Sequence, residues 1–165
     1  MAKQSLKGWQ GRLKSPAYWW STFFGVGMIP FAPGTWGSLM GAVAGYGLII
    51  AGFDTVLMIA ASLVVTLISI HAINRIEQAT GIHDSGEIVI DEVAGQWLAM
   101  IPLTWAASSL TLENIAYSFA LFRLYDIIKP WPISYLDKHI NGGFGVMVDD
   151  LVAGIMAALT LYFIL

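Results

Sequence analysis

Cysteine is absent from the 165 residues of this chain, and charged residues are scarce, at 12% of the sequence. The lack of cysteine excludes a disulfide framework, a thiolate metal site and a cysteine nucleophile. Globular proteins carry roughly 25% charged residues, so the low charge, together with a hydrophobic fraction of 57%, indicates an integral membrane protein. The net charge of −3 is small and does not suggest binding to nucleic acid.

Long apolar runs separated by short polar loops predict an all-α integral membrane protein with a single domain, residues 1–165. We expect about four transmembrane helices, the clearest of them over Thr55–Ile73. A basic segment, residues 1–16, precedes them and is expected to form an interfacial helix on an anionic membrane surface. Its cations are Lys3, Lys7, Arg12 and Lys14.

The apolar stretch that follows the basic segment is too short to span a membrane. It ends in residues 29–38, where two prolines and two glycines are expected to prevent a regular helix. Irregular backbone at membrane depth must be buried in protein or line a wet cavity. We therefore expect Tyr18–Ser38 to be a re-entrant segment that returns to the side from which it came.

The distribution of Lys and Arg predicts which side of the membrane each loop occupies. If the re-entrant segment returns to its own side, the loops on the N-terminal side are 1–38, 74–87 and 129–143. Together with Arg123, which lies within two turns of the same side, they hold all eight Lys and Arg residues. The opposite loops, near Asp54 and Glu113, hold none, so we expect the N-terminus and the polar motifs to face the cytoplasm.

Five acidic residues lie in or beside apolar segments at that face, where an ionisable side chain is costly and is therefore a candidate for function. They are Asp91, Glu92, Asp126, Asp149 and Asp150. Carboxylates without a soft partner suit Mg²⁺. Adjacent residues on a helix point roughly 100° apart, so we expect one acid of each neighbouring pair to ligate the metal. The alternative for Asp149 and Asp150 is a role at the N-terminus of a helix.

Cations and hydroxyl groups that suit phosphate accompany these acids. Arg123, Asp126 and Lys129 are spaced i, i+3 and i+6, within about 120° of arc on a helix, so they can present two cations to phosphate with an acid between them. The alternative is a local ladder of ion pairs. Near the end of the re-entrant segment, Thr35, Ser38 and neighbouring backbone N–H groups can bind an anion, or they form a plain turn.

A metal site, phosphate-binding groups and lipid together indicate a phospholipid headgroup as substrate. The nucleotide-binding motif G-x-x-x-x-G-K-[ST] is absent, as are the D-x-D opening of aspartyl-phosphate phosphatases and the motifs of CDP-alcohol phosphatidyltransferases. Two other classes remain. A cation carrier could use the same acids but would need charges spread through the membrane depth, and a non-catalytic scaffold would not need five acids.

Three sequence blocks, taken in order and spacing, resemble the phosphatidylglycerophosphatase A family, and the resemblance covers nearly the whole chain. The blocks are PFAPGTWGSL (Pro30–Leu39), IHDSGEIVIDEVAGQW (Ile82–Trp97) and FRLYDIIKPWPISYLDKHINGGFGVMVDDLVAG (Phe122–Gly154). The resemblance implies a Mg²⁺-dependent phosphatase of the bacterial cytoplasmic membrane. It would convert the phospholipid phosphatidylglycerophosphate to phosphatidylglycerol.

In the reaction that the resemblance implies, the five acids hold Mg²⁺ against the phosphomonoester. Arg123, Lys129 and Lys138 neutralise its remaining charge. A metal-activated water is favoured as the nucleophile, and attack by an aspartate to give a phosphoenzyme is the alternative. His83 or His139 would protonate the leaving alkoxide, and we favour His83 because it adjoins the D-E block.

Overall fold

The structure, a computed structural model, describes residues 4–165 and is built from helices. Within this range seven α-helices follow one another: α1 (Pro16–Ser21), α2 (Pro33–Ile50), α3 (Thr55–Thr80), α4 (Ile90–Ala99), α5 (Leu112–Ile128), α6 (Ile133–His139) and α7 (Gly142–Ile164). The described residues form no β-strand, and an isolated bridge joins Gln4 to Ser85. The predicted helical class is therefore confirmed.

Two short 3-10 turns, Leu6–Gly8 and Arg12–Lys14, form the N-terminal segment, for which we expected one interfacial helix. The expectation of a continuous helix is wrong. Glycine inside a helix costs about 1 kcal/mol relative to alanine, and two glycines interrupt this segment. Lys3, which we counted among its cations, lies outside the described residues.

The N-terminal segment is fixed against the loop that precedes α4. Leu6, Tyr18 and Ile76 pack together in a small apolar cluster that joins the segment to α3. The Tyr18 hydroxyl donates to Glu87 Oε2 at 2.9 Å, and Ser5 Oγ donates to Glu87 Oε1 at 2.6 Å. Burial and the hydrogen bond to Glu87 raise the pKa of Tyr18 to about 12, so this donor stays protonated. The loop is thereby held in place at its last residues before α4.

Helix α2 begins at Pro33, inside the stretch that we expected to be irregular. That expectation is wrong from Pro33 onward, because proline at the first helical position loses no intrahelical hydrogen bond and its φ suits a helix. Irregular backbone lies between α1 and α2, where Phe23, Phe24 and Ala32 have positive φ and one 3-10 turn intervenes.

Two helices, α3 with 26 residues and α7 with 23, are long and apolar enough to cross a membrane. Helix α3 continues about two turns beyond its predicted end, to Thr80, and Gly81 caps it in the left-handed conformation. Helix α4 has ten residues and rises about 15 Å, short of the roughly 30 Å of a hydrocarbon core. A 3-10 turn, Ile101–Thr104, extends it. The fold is compatible with a membrane protein.

Helix α4 lies at the centre of the fold, with nine of its ten residues buried, and it packs against α2, α3, α5 and α7. Two glycines allow α4 and α7 to approach closely. A Cβ on Gly95 would lie 2.5 Å from the carbonyl oxygen of Asp150, and a Cβ on Gly154 would collide with the carbonyl of Gly95. Residues four apart share a helix face, so this contact brings Asp91 and Asp150, each four residues before its glycine, to neighbouring positions.

Candidate active site

A cavity of about 430 Å³ opens where α2, α4, α5 and α7 converge. Every residue that the sequence predicted to be catalytic lines it. The lining residues with ionisable side chains are His83, Asp84, Asp91, Glu92, Arg123, Asp126, Lys129, Asp137, Asp149 and Asp150. The acids outnumber the cations, so the cavity lining carries a net negative charge.

The carboxylates of Asp91, Glu92 and Asp150 form a cluster in this cavity. One oxygen of each lies within 4.8 Å of the others, and none of the three residues is more than 8% exposed. Asp91 and Glu92 lie in the first turn of α4, where the helix dipole stabilises negative charge. We expected one of these two acids to reach the metal, but both reach the cluster, which the longer Glu92 side chain allows.

Asp149 and Asp150 lie about two turns into α7, which begins at Gly142 with Asn141 as its N-cap. The alternative that they cap a helix or occupy its first turn is therefore excluded. Asp150 joins the acidic cluster, whereas Asp149 bonds to Lys129. The two neighbours thus serve different partners on different sides of α7, as their angular separation on a helix requires.

The acidic cluster fits a hard divalent cation. Its ligand atoms are all carboxylate oxygens, the donors that Mg²⁺ and Ca²⁺ prefer. Three buried carboxylates this close together repel one another unless positive charge neutralises them. Asp150 Oδ2 is buried and has no hydrogen-bond partner among residues 4–165. Asp91, Glu92 and Asp150 can therefore bind a metal ion.

Lys129 connects two acids that belong to different helices. Its Nζ donates to Asp149 Oδ2 at 2.5 Å and to Asp137 Oδ1 at 2.6 Å. Burial alone would lower the pKa of Lys129, but these two hydrogen bonds raise the pKa above its usual value, so the ammonium stays charged. Because its partners lie on α6 and α7, Lys129 ties those helices to the end of α5 instead of extending an ion-pair ladder along α5.

Arg123 lies between the acidic cluster and the first turns of α2. Its Nη1 is 2.6 Å from Asp126 Oδ2 and 4.0 Å from Glu92 Oε1, and it donates to Ser38 Oγ at 3.2 Å. Its Nε is buried and has no hydrogen-bond partner in the described part of the chain. A Cβ on Gly34 would collide with Glu92 Oε1, so glycine at this position lets α2 close against the Arg123–Glu92 pair.

Three residues that the sequence predicted to bind phosphate do not line the cavity. Thr35 and Lys138 are exposed on the surface. Ser38 is fully buried, and its Oγ donates to the Gly34 carbonyl at 2.8 Å while accepting from Arg123. Ser38 therefore holds Arg123 in position.

The two candidate histidines differ in their surroundings. His83 lines the cavity, with Nδ1 3.1 Å from Glu77 Oε1. His139 is exposed and stacks on Tyr135, with 4.1 Å between ring centroids, outside the cavity lining. Of the two histidines, only His83 therefore lines the cavity.

Three further polar residues line the cavity although the predicted site did not include them: Asp84, Asp137 and Asn141. Asp84 adjoins His83 and Asp137 adjoins Lys138 in the sequence, and this adjacency was a signal that could have found them. Asn141 gives no such signal, because an asparagine before a glycine-rich helix reads as an ordinary N-cap.

The fold and the cavity together define a helical protein in which a carboxylate cluster that can bind a metal ion lies beside two cations that can bind phosphate, an arrangement that suits a phosphatase. Comparison with known proteins agrees with this class. A model of the family phosphatidylglycerophosphatase A matches residues 19–165. The chain therefore belongs to the phosphatidylglycerophosphatase A family, as the three sequence blocks predicted.

Individual relatives extend the match over most of the chain. The phosphatidylglycerophosphatase A of Haemophilus influenzae is 37% identical over 151 residues, which cover 91% of this chain and 89% of the relative. That of Escherichia coli is 35% identical over 167 residues, covering 99% and 89%. A putative phosphatidylinositol-3-phosphatase of Bacteroides thetaiotaomicron is 36% identical over 137 residues, covering 81% and 84%. No solved structure matches the chain.

Proposed function

We propose that the chain hydrolyses the terminal phosphomonoester of phosphatidylglycerophosphate and releases phosphatidylglycerol and inorganic phosphate, a step of phospholipid biosynthesis. The observation that carries the proposal is the acidic cluster of Asp91, Glu92 and Asp150 in the same cavity as Arg123 and Lys129. Two relatives bear the name of this activity. A cavity of about 430 Å³ has room for a glycerophosphate headgroup but not for two acyl chains.

Arg123 and Lys129 bind the phosphomonoester in this proposal. Arg123 is supported from both sides by Asp126 and Ser38, and its Nε still lacks a protein partner. Lys129 adds a second fixed charge while its bonds to acids keep it in place. Cations that are already oriented stabilise the negative charge that develops as the P–O bond breaks, and they do so without reorganisation.

We assign Mg²⁺ to the acidic cluster, with Asp91, Glu92 and Asp150 as its protein ligands. Mg²⁺ is commonly held by a few carboxylates together with substrate phosphate and water. When bound, it polarises the phosphoryl group and lowers the pKa of water. Asp126 and Asp149, which the sequence also predicted as ligands, instead orient Arg123 and Lys129. We favour water as the nucleophile, since the clustered carboxylates serve as ligands.

His83 protonates the leaving alkoxide oxygen in this proposal. Its Nδ1 lies beside Glu77 Oε1. In the imidazolium form the Nδ1–H donates to Glu77 and fixes the ring, and the Nε2–H supplies the proton for the alkoxide, which leaves a neutral histidine. A general acid must lie within hydrogen-bond reach of the oxygen that it protonates. The position of His83 in the cavity lining supports this role.

We further propose that the chain is a multi-pass protein of the bacterial inner membrane, with its N-terminus and cavity facing the cytoplasm. In this arrangement the segment between α1 and α2 is re-entrant. Helices α2, α3, α4 with its 3-10 turn, α5 and α7 then cross in alternate directions, one crossing more than the four that we predicted. All eight Lys and Arg residues lie in or beside the loops that this topology assigns to the cytoplasmic side, which supports this orientation.

The proposed topology predicts opposite locations for two reporter fusions. A reporter placed at Asn141 should lie in the cytoplasm, and one placed after Leu165 should lie in the periplasm, because α7 crosses the membrane between them. Paired alkaline phosphatase and green fluorescent protein fusions would measure both locations. Finding both positions on one side would overturn the crossing of α7 and the alternation of the helices.

Phosphate release by the purified full-length chain tests the proposed activity. In mixed micelles with dioleoyl phosphatidylglycerophosphate we expect release in the presence of Mg²⁺, loss of release after chelation with EDTA, and recovery when Mg²⁺ is restored. Phosphatidylinositol 3-phosphate is the matched comparison, since one relative is named for that substrate. Release from phosphatidylinositol 3-phosphate alone would refute the proposed substrate, and undiminished release in EDTA would refute the metal.

A further inference from the structure

The exposed part of the cavity lining combines apolar and polar side chains. Of the described residues that line the cavity, three are exposed: Ile127, Asp137 and Asn141. Ile127 lies in the last turn of α5 and is 69% exposed. Asp137 lies on α6, and Asn141 directly precedes α7. We call these three exposed lining residues the rim of the cavity, with Ile127 as its apolar side and Asp137 and Asn141 as its polar side.

The apolar side of this rim adjoins the groups that we assign to phosphate binding. Ile127 directly follows Asp126, which bonds to Arg123, and precedes Lys129 by two residues. The first turn of α2 lines the same cavity through Pro33, and the bond between Arg123 and Ser38 holds α2 against α5. A molecule bound at the two cations would therefore lie close to Ile127 at the end of α5.

An exposed apolar side chain in the lining of an otherwise charged cavity can contact the nonpolar part of a substrate, because burial of apolar surface is favourable. A phospholipid that ends in a phosphomonoester has both a charged part and a nonpolar part. Its phosphorylated headgroup suits the cations and the acidic cluster, and its acyl chains must remain in lipid.

We propose that Ile127 forms the acyl-glycerol subsite of the active site. The lipid enters over Ile127, which contacts its glycerol backbone and first acyl carbons, while Asp137 and Asn141 face water and form the side by which phosphate leaves. This inference rests on the proposed function and identifies the part of the site that recognises the lipid half of the substrate.

The chain offers a matched control for this subsite. Ile128 is the next residue, is 64% exposed and does not line the cavity. We compare Ile127→Asn with Ile128→Asn in the full-length protein, using dioleoyl phosphatidylglycerophosphate at a fixed surface fraction in mixed micelles. The deacylated headgroup, which keeps both phosphates but lacks acyl carbons, serves as a competing ligand, so turnover of the dioleoyl lipid is followed by the phosphatidylglycerol formed and not by total phosphate.

Ile127→Asn should raise the KM for the dioleoyl substrate on the order of tenfold, the scale of losing a few buried methylene contacts. The kcat and the Ki of the deacylated headgroup should stay within about twofold of wild type, because the cations that bind phosphate are untouched. Ile128→Asn should change none of the three constants. Ile127→Leu, which keeps an apolar side chain at the subsite, should have the KM of the wild type.

Equal increases in KM for Ile127→Asn and Ile128→Asn would overturn the subsite, since both would then act as ordinary lipid-facing residues. An increase in the Ki of the headgroup for Ile127→Asn would also overturn it, because the change would then disturb phosphate binding. Failure of the wild-type chain to release phosphate from the dioleoyl lipid is a separate result. It would refute the proposed function, and the subsite would fall with it.

Discussion

Asp150→Asn should lower Mg²⁺-dependent phosphate release on the order of 10³-fold, because it removes one of the three charged ligands of the acidic cluster. A metal ion contributes several kcal/mol of transition-state stabilisation in such reactions, and each 1.36 kcal/mol is about tenfold in rate. Asn keeps the size of the side chain, and the close contact of α4 with α7 at Gly95 and Gly154 remains. The expected loss of activity therefore comes from the site and not from the fold, and the amount of protein in the membrane should be unchanged.

A direct measurement of metal binding distinguishes this loss of activity from misfolding. Mn²⁺, which favours the same ligands as Mg²⁺, should bind the wild-type protein and bind Asp150→Asn at least about tenfold more weakly by electron paramagnetic resonance. The metal-free variant should melt no lower than wild type, since the change relieves repulsion with Asp91 and Glu92. Wild-type binding of Mn²⁺ by the variant would show that Asp150 is not a ligand.

Asp54→Asn provides the matched control. Asp54 caps α3 through a hydrogen bond from the Leu57 N–H to Oδ1 at 2.9 Å, far from the cavity. Asn is as good an N-cap as Asp, so this variant should keep both turnover and metal binding. A loss of activity in Asp54→Asn equal to that in Asp150→Asn would mean that any lost carboxylate harms the protein, and the cluster would lose its special role.

The long helices were predictable from the sequence because they depend on local composition. Uninterrupted apolar runs indicate α3 and α7, and both helices are long and apolar enough to cross a membrane. The start of α2 was missed, because proline and glycine were taken as helix breakers where Pro33 in fact occupies the first helical position. The short length of α4 could not be predicted, since the apolar pattern continues through a 3-10 turn that only tertiary packing distinguishes from a helix.

The members of the cavity were largely predictable, whereas their partners were not. The acids and cations could be named because ionisable side chains in apolar segments are conspicuous. Which way each side chain points depends on long-range packing. Lys129 adopts the left-handed backbone conformation at the end of α5, with a φ of 46°, and its side chain reaches Asp137 and Asp149 from there. Lys138 lies close by in the sequence but is exposed, and no local pattern separates the two lysines.

The role of Gly95 depends on tertiary packing. Glycine one turn after Asp91 leaves space above the acid along the helix. In the structure α7 fills that space, with the backbone of Asp150 packed on Gly95. The small residue serves to bring a second helix close, which is a common use of glycine between membrane helices. This contact assembles the cluster, because it sets the carboxylates of α4 and α7 side by side.

Arg123→Lys should lower kcat on the order of 10²-fold or more, the scale seen when one transition-state donor is removed. The guanidinium has five N–H donors in a planar fork, and Nη1 serves Asp126 and Ser38, so its other donors can serve a phosphate at the same time. A lysine ammonium is a single point of donation and cannot reproduce this fork. Turnover of the purified variant with the dioleoyl substrate measures the effect, and Arg75→Lys, at an exposed arginine outside the cavity lining, is the matched control.

The competing explanation is that Arg123 merely neutralises Asp126 within α5, to which it is bonded at 2.6 Å. An ion pair of that kind can often be replaced by apolar residues without loss of stability. The double change Arg123→Leu with Asp126→Leu would then restore both stability and activity, and Arg123→Lys would be nearly silent. If Arg123 binds the phosphomonoester, the double variant should be stable and inactive, because the helix no longer carries an unpaired charge but the phosphate has lost its guanidinium. An active double-leucine protein would remove both residues from the active site.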